Sequence, residues 1–198
     1  MKKIFKKSNN KNKSGFTLIE LMVATSIFTV IMLAAMGSLV ITSNLAKKSQ
    51  ALNFTMDNLS FAIESMSRSL RMGTNYHCQQ DGSISTNNPL SGTVCPQGAG
   101  AISFIPAKGS SADFVIYFRS LRNDGTGTIG RYNSVGNEYS DLISENIDIQ
   151  ELKFFLKGVQ PNDNIQPSLY IKIRGVVNIK GEQIGFAVQT MISQRTLE

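Results

Sequence analysis

Three residues near the middle of the chain could do chemistry together: His77, Cys78 and Cys95. Two thiols can form a disulfide, can stay reduced, or can join a histidine in holding a metal ion. Adjacent His and Cys side chains rarely point at one ion, and the sequence offers no obvious fourth ligand. The pattern therefore argues against a metal site and leaves a disulfide or free thiols; we expect no metal and no cofactor.

Other patterns that could support catalysis are weak. The chain has a single histidine, so it cannot build a multi-histidine zinc site by itself. Residues 123–127 (NDGTG) contain glycines but lack the Lys-Ser/Thr ending of a phosphate loop, and they predict a hairpin turn. No calcium-loop spacing surrounds Asp124, and we interpret Asp141 and Glu145 as solvated loop charges. We therefore expect no catalytic residues and no enzyme.

The basic residues are unevenly distributed. The chain has 20 Lys+Arg against 14 Asp+Glu, and six lysines with no acid lie in the first 15 residues. The remainder, residues 16–198, therefore carries 14 basic and 14 acidic side chains. An excess confined to the N-terminus does not indicate a nucleic-acid-binding face.

An apolar run follows the lysines, from Phe16 to Ile41, and no charged residue occurs from Leu21 through Ala46. About 20 apolar residues in a helix span a bilayer. The segment could be a secretory signal cleaved at Ala35-Met36-Gly37, a plain membrane anchor, or a prepilin-type leader. A secretory signal has a shorter apolar region, typically about 7–15 residues without an acid, and a plain anchor does not explain Glu20.

The junction Gly15-Phe16-Thr17-Leu18-Ile19-Glu20-Leu21, continued by Met22-Val23-Ala24-Thr25, resembles the type IV prepilin motif. The resemblance implies cleavage after Gly15 by a prepilin peptidase and methyltransferase, with N-methylation of Phe16. The leader, residues 1–15, is longer than the short leaders common in major pilins. The motif covers about 30 residues.

Glu20 needs a partner, because a carboxylate at the centre of a membrane helix costs about 2.5–3.5 kcal/mol. The resemblance implies pairing with the N-terminal amine of a neighbouring subunit during assembly. The alternative is a position near the membrane edge, where the carboxylate reaches water.

The helix is predicted to continue beyond the membrane, from about Phe16 to Met72, with Gly73 as its stop. Apolar residues at alternating spacings of four and three predict a buried face over Leu52, Met56, Leu59, Ile63, Met66 and Leu70. Phe54 and Phe61 lie on the opposite face, where they could meet neighbouring helices in a filament or be covered by loops of the same chain.

The remaining residues predict short strands separated by turns. The predicted strands are Ala101–Ile105, Asp113–Arg119, Thr128–Tyr132, Ile147–Lys157, Leu169–Ile179 and Ile184–Arg195, with a bulge near Gln150-Glu151 and a C-terminal hairpin around residues 180–182. The fold class is therefore α+β and pilin-like, with a long helix packed on an antiparallel sheet. We expect four segments: a basic leader (1–15), a transmembrane and assembly half of the helix (16–46), an amphipathic half (47–73) and a β-rich head (74–198).

The asymmetry of lysines predicts a cytoplasmic N-terminus and an extracytoplasmic head in a single-pass inner-membrane protein. That compartment favours the Cys78–Cys95 disulfide. Residues 56–72 and the tail from Phe186 loosely resemble minor pilins or pseudopilins of the J/W type, which implies pilin subunits as partners in a type IV pilus, competence or type II secretion filament. A membrane-anchored extracytoplasmic binding domain that does not polymerise and a head released by signal cleavage are the other functional hypotheses.

Overall fold

The structure is a computed structural model and describes residues 15–79, 95–107, 109–110, 112–159, 165–179 and 182–195. The elements in chain order are α1 (Leu18–Met72), β1 (Thr74–Gln79), β2 (Ala101–Ile105), β3 (Val115–Leu121), β4 (Gly127–Asn133), β5 (Glu138–Asp141), β6 (Ile147–Lys157), β7 (Ser168–Ile179) and β8 (Glu182–Ser193). The chain divides into two compact units, Met1–Lys47 and Lys48–Glu198. The lysines of the leader, the loop between the cysteines and the predicted turn at Lys180-Gly181 lie outside the described residues.

The long helix ends where the sequence predicted, at Met72, and begins two residues later than predicted, at Leu18. Gly73 follows the last helical residue, and packing requires glycine there because a Cβ at this position would overlap the ring of Phe104. The hydroxyl of Tyr76 caps the helix end, because the carbonyls of Leu70 and Gly73 share its one proton. Burial raises the pKa of Tyr76, which keeps this hydroxyl protonated as a donor.

The strands in the second unit form two antiparallel sheets rather than the single sheet expected. Five strands follow chain order from β1 to β5, and three follow chain order from β6 to β8. The predicted bulge is confirmed, since the β6–β7 register shifts between Ile149 and Glu151. The predicted C-terminal hairpin is confirmed as the antiparallel pair β7–β8. This α+β architecture is the predicted fold class.

Two strands were not predicted. The first, β1, carries polar residues in every position but Tyr76 and Cys78, and the second, β5, has four residues that are all exposed. Neither has the alternation of apolar side chains that identifies a strand in a sequence. The prediction also began β3 too early, because the Asp113 carboxylate accepts a hydrogen bond from the Ser110 N–H at 2.7 Å and so belongs to the preceding turn.

One core joins the second half of the helix to both sheets. The helix buries Thr55, Leu59, Ala62, Met66 and Leu70. The predicted face was right at Leu59, Met66 and Leu70 and wrong at Met56, which is 41% exposed. The predicted spacing repeats every 3.5 residues, whereas an α-helix turns every 3.6, so the two drift by about 20° per heptad. Met56 is two heptads from Leu70 and is therefore displaced by about 40° around the helix, away from the buried face.

Candidate functional site

The junction between Gly15 and Phe16 lies just before the helix. Both residues are exposed and neither is helical, and the helix begins at Leu18. The Phe16 side chain is 84% exposed. A Cβ added at Gly15 would meet no atom within 4 Å. No packing contact among the described residues therefore requires glycine at this position.

The first helical turn is organised by Thr17 and Glu20. The Glu20 N–H donates to Thr17 Oγ1 at 3.3 Å, and the Leu21 N–H donates to the Thr17 carbonyl at 3.2 Å. Thr17 is thus the helix N-cap, with Glu20 three residues later at the position of a capping-box acid. A carboxylate in the first turn also interacts favourably with the helix dipole. The sequence already contained this Thr-x-x-Glu pattern, which the prediction of a helix start at Phe16 missed.

In the apolar half of the helix, from Leu18 to Lys47, the large side chains are exposed on every side. Across the most apolar 18-residue window the mean hydropathy is 2.2 and no residue is buried. Its hydroxyl side chains bond back to carbonyls of the same helix: Thr25 to Met22, Ser26 to Val23, Thr29 to Ser26 and Thr42 to Ser38, at 2.8–3.0 Å. These internal bonds let the hydroxyl groups enter an apolar environment without losing their partners.

The family described as the prokaryotic N-terminal methylation motif matches residues 10–36. The chain carries a type IV prepilin-like class III signal peptide. No curated protein and no solved structure matches the chain. The matched residues include the Gly15–Phe16 junction, the cap at Thr17 and Glu20, and the start of the apolar helix.

This prepilin-like chain has one helix that is long and apolar enough to cross a membrane, counted over the described residues. The methylation motif overlaps the start of this helix, and the helix suits the single-pass membrane anchoring that is typical of prepilins.

In the second unit of the prepilin-like chain, two phenylalanines of the helix remain uncovered. Phe54 is 54% exposed and Phe61 is 75% exposed, although the same helix segment buries Leu59 and Ala62. The described parts of the chain therefore do not cover the two rings. Their role in assembly stays a prediction.

The structure places Cys78 and Cys95 in a disulfide, with their Cα atoms 5.8 Å apart. Both cysteines are buried, and Cys78 lies on β1 opposite Ile102 of β2. The segment after Cys95 bridges the two sheets, because Ala99 and Phe154 exchange backbone hydrogen bonds at 2.8 and 2.9 Å. Within the described residues, no group of three His, Cys, Asp or Glu side chains could hold a metal ion. His77 instead contacts the Asn75 side chain through Nε2 at 3.0 Å.

The carboxylates considered in the sequence meet around one open cleft of about 510 Å³. Its lining includes Asp124, Asp141 and Glu145 together with Arg122. Asp124 accepts hydrogen bonds from the Thr126 hydroxyl at 2.6 Å and the Thr126 N–H at 2.9 Å, which lower the pKa of Asp124. These bonds close the hairpin turn between β3 and β4 that the NDGTG run predicted.

Arg122 is a structural residue that the sequence did not single out. Its guanidinium donates to the carbonyls of Ile143, Ser144 and Ile147 at 2.6–3.2 Å, and it forms an ion pair with Asp141 at 3.4 Å. It thereby holds the segment between β5 and β6 against the β3–β4 hairpin. Its donors are used inside the head, so we interpret the cleft as a folded surface and not as a catalytic site.

Proposed function

We propose that the prepilin-like chain is a structural subunit of an extracytoplasmic filament. In this proposal it is inserted as a precursor, cut after Gly15, N-methylated on Phe16 and assembled through its apolar helix. The observation that carries the proposal is the match of the methylation motif to residues 10–36, at the place where a non-helical junction precedes an apolar helix.

The geometry at the junction supports cleavage there. A peptidase needs its scissile bond in an extended, accessible segment, and the Gly15–Phe16 bond lies outside the helix with both residues exposed. The open space around Gly15 means that packing among the described residues does not select glycine. Selection by the peptidase is the simplest remaining reason for a glycine at this place.

The charges support insertion with the N-terminus in the cytoplasm. Six lysines precede the apolar run, and only Lys47 and Lys48 follow it closely. Positively charged flanks stay on the cytoplasmic side of a membrane helix. The head, residues 74–198, then lies outside the cytoplasm, where the disulfide between Cys78 and Cys95 persists.

Glu20 is the residue we assign to assembly. Its position in the first helical turn, four residues after Phe16, places the carboxylate close along the chain to the amine that cleavage would create. In a neighbouring subunit the same amine would be an available cation, and pairing would offset the cost of holding a carboxylate among apolar groups. The cap bond to Thr17 uses the Glu20 backbone N–H and leaves its carboxylate for this partner.

The finer assignment is a minor pilin or pseudopilin of the J/W type, in a type IV pilus, a competence filament or a type II secretion filament. The loose resemblance of residues 56–72 and of the tail from Phe186 supports it. The proposed partners are the prepilin peptidase and methyltransferase, other pilin subunits, and the inner membrane before assembly. Genes next to the coding sequence would distinguish the three machines, because their operons differ.

The test is to express the full chain with a prepilin peptidase and a filament system, comparing the native sequence with Glu20→Ala. We expect both to insert and to be processed, while Glu20→Ala enters filaments at least tenfold less. Glu64→Ala is the matched control, because Glu64 is an exposed acid on the same helix with Arg68 as its partner at 3.3 Å. Equal incorporation of all three proteins would contradict the assembly role of Glu20.

A further inference from the structure

The outer face of the three-stranded sheet is rich in cations. Its strands β6 and β7 carry a group of basic side chains that we call the cationic face: Lys153, Lys157, Lys172 and Arg174. Lys153 and Lys172 are directly opposite each other in the β6–β7 ladder. The third strand, β8, has no charged residue from Gln183 to Ser193. The positive charge is therefore concentrated on two neighbouring strands.

A single carboxylate organises this face. Glu151 lies 3.3 Å from both Lys172 Nζ and Arg174 Nε and 3.6 Å from Lys153 Nζ. Partial desolvation acts against its ionisation, but the hydrogen bond from Lys172 and the three nearby cations outweigh it and lower the pKa of Glu151. One acid pairs with three cations, so the face keeps a net positive charge.

The opposite sign gathers on the other sheet. Four exposed carboxylates lie on β5, on the loop that follows it and in the turn between β3 and β4, and we call them the acidic edge: Asp124, Glu138, Asp141 and Glu145. Strand β5 is the terminal strand of the five-stranded sheet, so its outer edge is unpaired in the described part of the chain. Three of the four carboxylates line the open cleft beside Arg122. Arg122 offsets only part of their charge, because it is a single cation and its ion pair is with Asp141, at 3.4 Å.

The cationic face of one copy of the chain is complementary in charge to the acidic edge of another copy. Residues 112–148 contain six acids and three arginines, whereas residues 149–195 contain six basic residues and three acids. Surfaces of opposite sign on one chain favour a heterologous contact, in which the cationic face of one copy meets the acidic edge of the next. Such a contact does not require a two-fold axis, so it can repeat from copy to copy along a filament.

We propose that the cationic face binds the acidic edge of a second copy of this chain. This inference rests on the proposed function, because a filament or its membrane precursor brings copies together. Exposed ion pairs are individually weak and are screened by salt. The contact therefore acts through several pairs at once, and it sets the register between heads whose helices are already associated.

The first experiment applies a zero-length carbodiimide reagent to the full chain in membranes. The cells make one part of the chain population with ordinary nitrogen and the other part with heavy nitrogen, so that a link between a light and a heavy copy identifies an intermolecular contact. The reagent joins amines to carboxylates that are in contact. We expect mixed-isotope cross-links from Lys153 or Lys157 to Glu138 or Glu145, with a yield that falls as salt is raised. The absence of these mixed-isotope links would overturn the proposal.

The second experiment reverses the charges. Reversing the cations, by Lys153→Glu with Lys157→Glu, should lower the yield of cross-linked dimer at least fivefold. Reversing the acids, by Glu138→Lys with Glu145→Lys, should lower it equally. The yield is measured with an amine-reactive cross-linker that joins lysines outside the two surfaces. The chain that carries all four changes should return to within about twofold of the native yield, because both surfaces are exchanged. The control is Arg68→Glu with Arg71→Glu. It changes the net charge by the same amount as the lysine reversal but leaves both surfaces untouched. Each variant is checked for the intact disulfide and for native near-ultraviolet circular dichroism.

The outcomes separate the partners. If the fourfold exchange fails to restore the dimer although the head is folded, the cationic face binds a different protein and the proposal is wrong. If the reversals change nothing while the chain is processed and enters filaments, the contact is wrong but the proposed function stands. If the chain keeps Met1 and still forms the charge-dependent dimer, the contact stands and the proposed function is wrong.

Discussion

The two halves of the long helix use the same backbone for different purposes. From Leu18 to Lys47 the apolar side chains are outward on all sides, and no part of the most apolar window is buried. From Lys48 to Met72 one face is covered by the sheets of the same chain, and polar residues occupy most of the rest. A continuous helix can therefore join a segment that needs lipid or neighbouring subunits to one that stabilises its own head.

The comparison is tested most strongly by matched leucines. Leu59 is 1% exposed and Leu45 is 62% exposed, and both are on the same helix. Leu59→Ala should lower the free energy of unfolding of the head by about 2–5 kcal/mol, as buried leucines typically do, while Leu45→Ala should change it by less than about 0.5 kcal/mol. Denaturant unfolding in detergent, followed by near-ultraviolet circular dichroism, measures both. Similar losses would show that the two halves are not differently buried.

The disulfide sharpens the comparison because it acts only on the head. Replacing Cys78 and Cys95 together with alanine should cost about 2–4 kcal/mol of head stability, since the bond closes a loop with a sequence separation of 17. Membrane insertion and cleavage after Gly15 should be unchanged. Thiol counting before and after reduction gives the control, with no free thiol expected in the native chain. Two free thiols in the native chain would contradict this account.

The exposed phenylalanines show whether the second half also faces neighbours. Phe54→Ser with Phe61→Ser should leave head stability within about 1 kcal/mol of native, because both rings are exposed. Incorporation into filaments should fall severalfold if the rings meet neighbouring helices. Quantitative immunoblotting of sheared filaments against membranes measures the ratio. An unchanged ratio with an unchanged fold would remove the two rings from the assembly surface.

The smallest expected effect is a decrease in the stability of the head at acidic pH. The pKa of Glu151 is lowered in the folded chain, so its contribution is present above the ordinary carboxyl pKa, about 4.3, and is lost as the pH falls through the lowered value. The melting temperature should therefore decline modestly below about pH 4, and Glu151→Gln should reduce that decline. An identical pH profile for the two proteins would show that the ion pairs on the cationic face do not contribute.

Much of this architecture could be predicted from the sequence where side-chain patterns are strong. The helix end at Gly73, the bulge after Ile149 and the β7–β8 hairpin follow from glycine, from a phase shift and from alternation. The strand β1 could not be predicted, because its place in the sheet is set by Cys78 and Tyr76 packing into a core formed by distant residues. The role of Arg122 was also out of reach, since its partners are backbone carbonyls that are 21–25 positions further along the chain.

The N-terminus was readable for a different reason. The features that matter there are local: a basic leader, the Gly15–Phe16 junction, Glu20 and an uninterrupted apolar run. Local features need no knowledge of tertiary contacts, whereas the grouping of the head's charges into two surfaces depends on how the strands are assembled into two sheets. The sequence total for residues 16–198, 14 basic against 14 acidic, concealed that grouping.

The central claim is that the chain is processed as a prepilin, and the mass of its N-terminal peptide tests this directly. The protein is recovered from cells that contain a prepilin peptidase, digested and analysed by tandem mass spectrometry. The account predicts a peptide that begins with N-methylated Phe16. A peptide beginning at Met1 would indicate a plain membrane anchor, one beginning near Ser38 would indicate a secreted head, and either result would contradict the account.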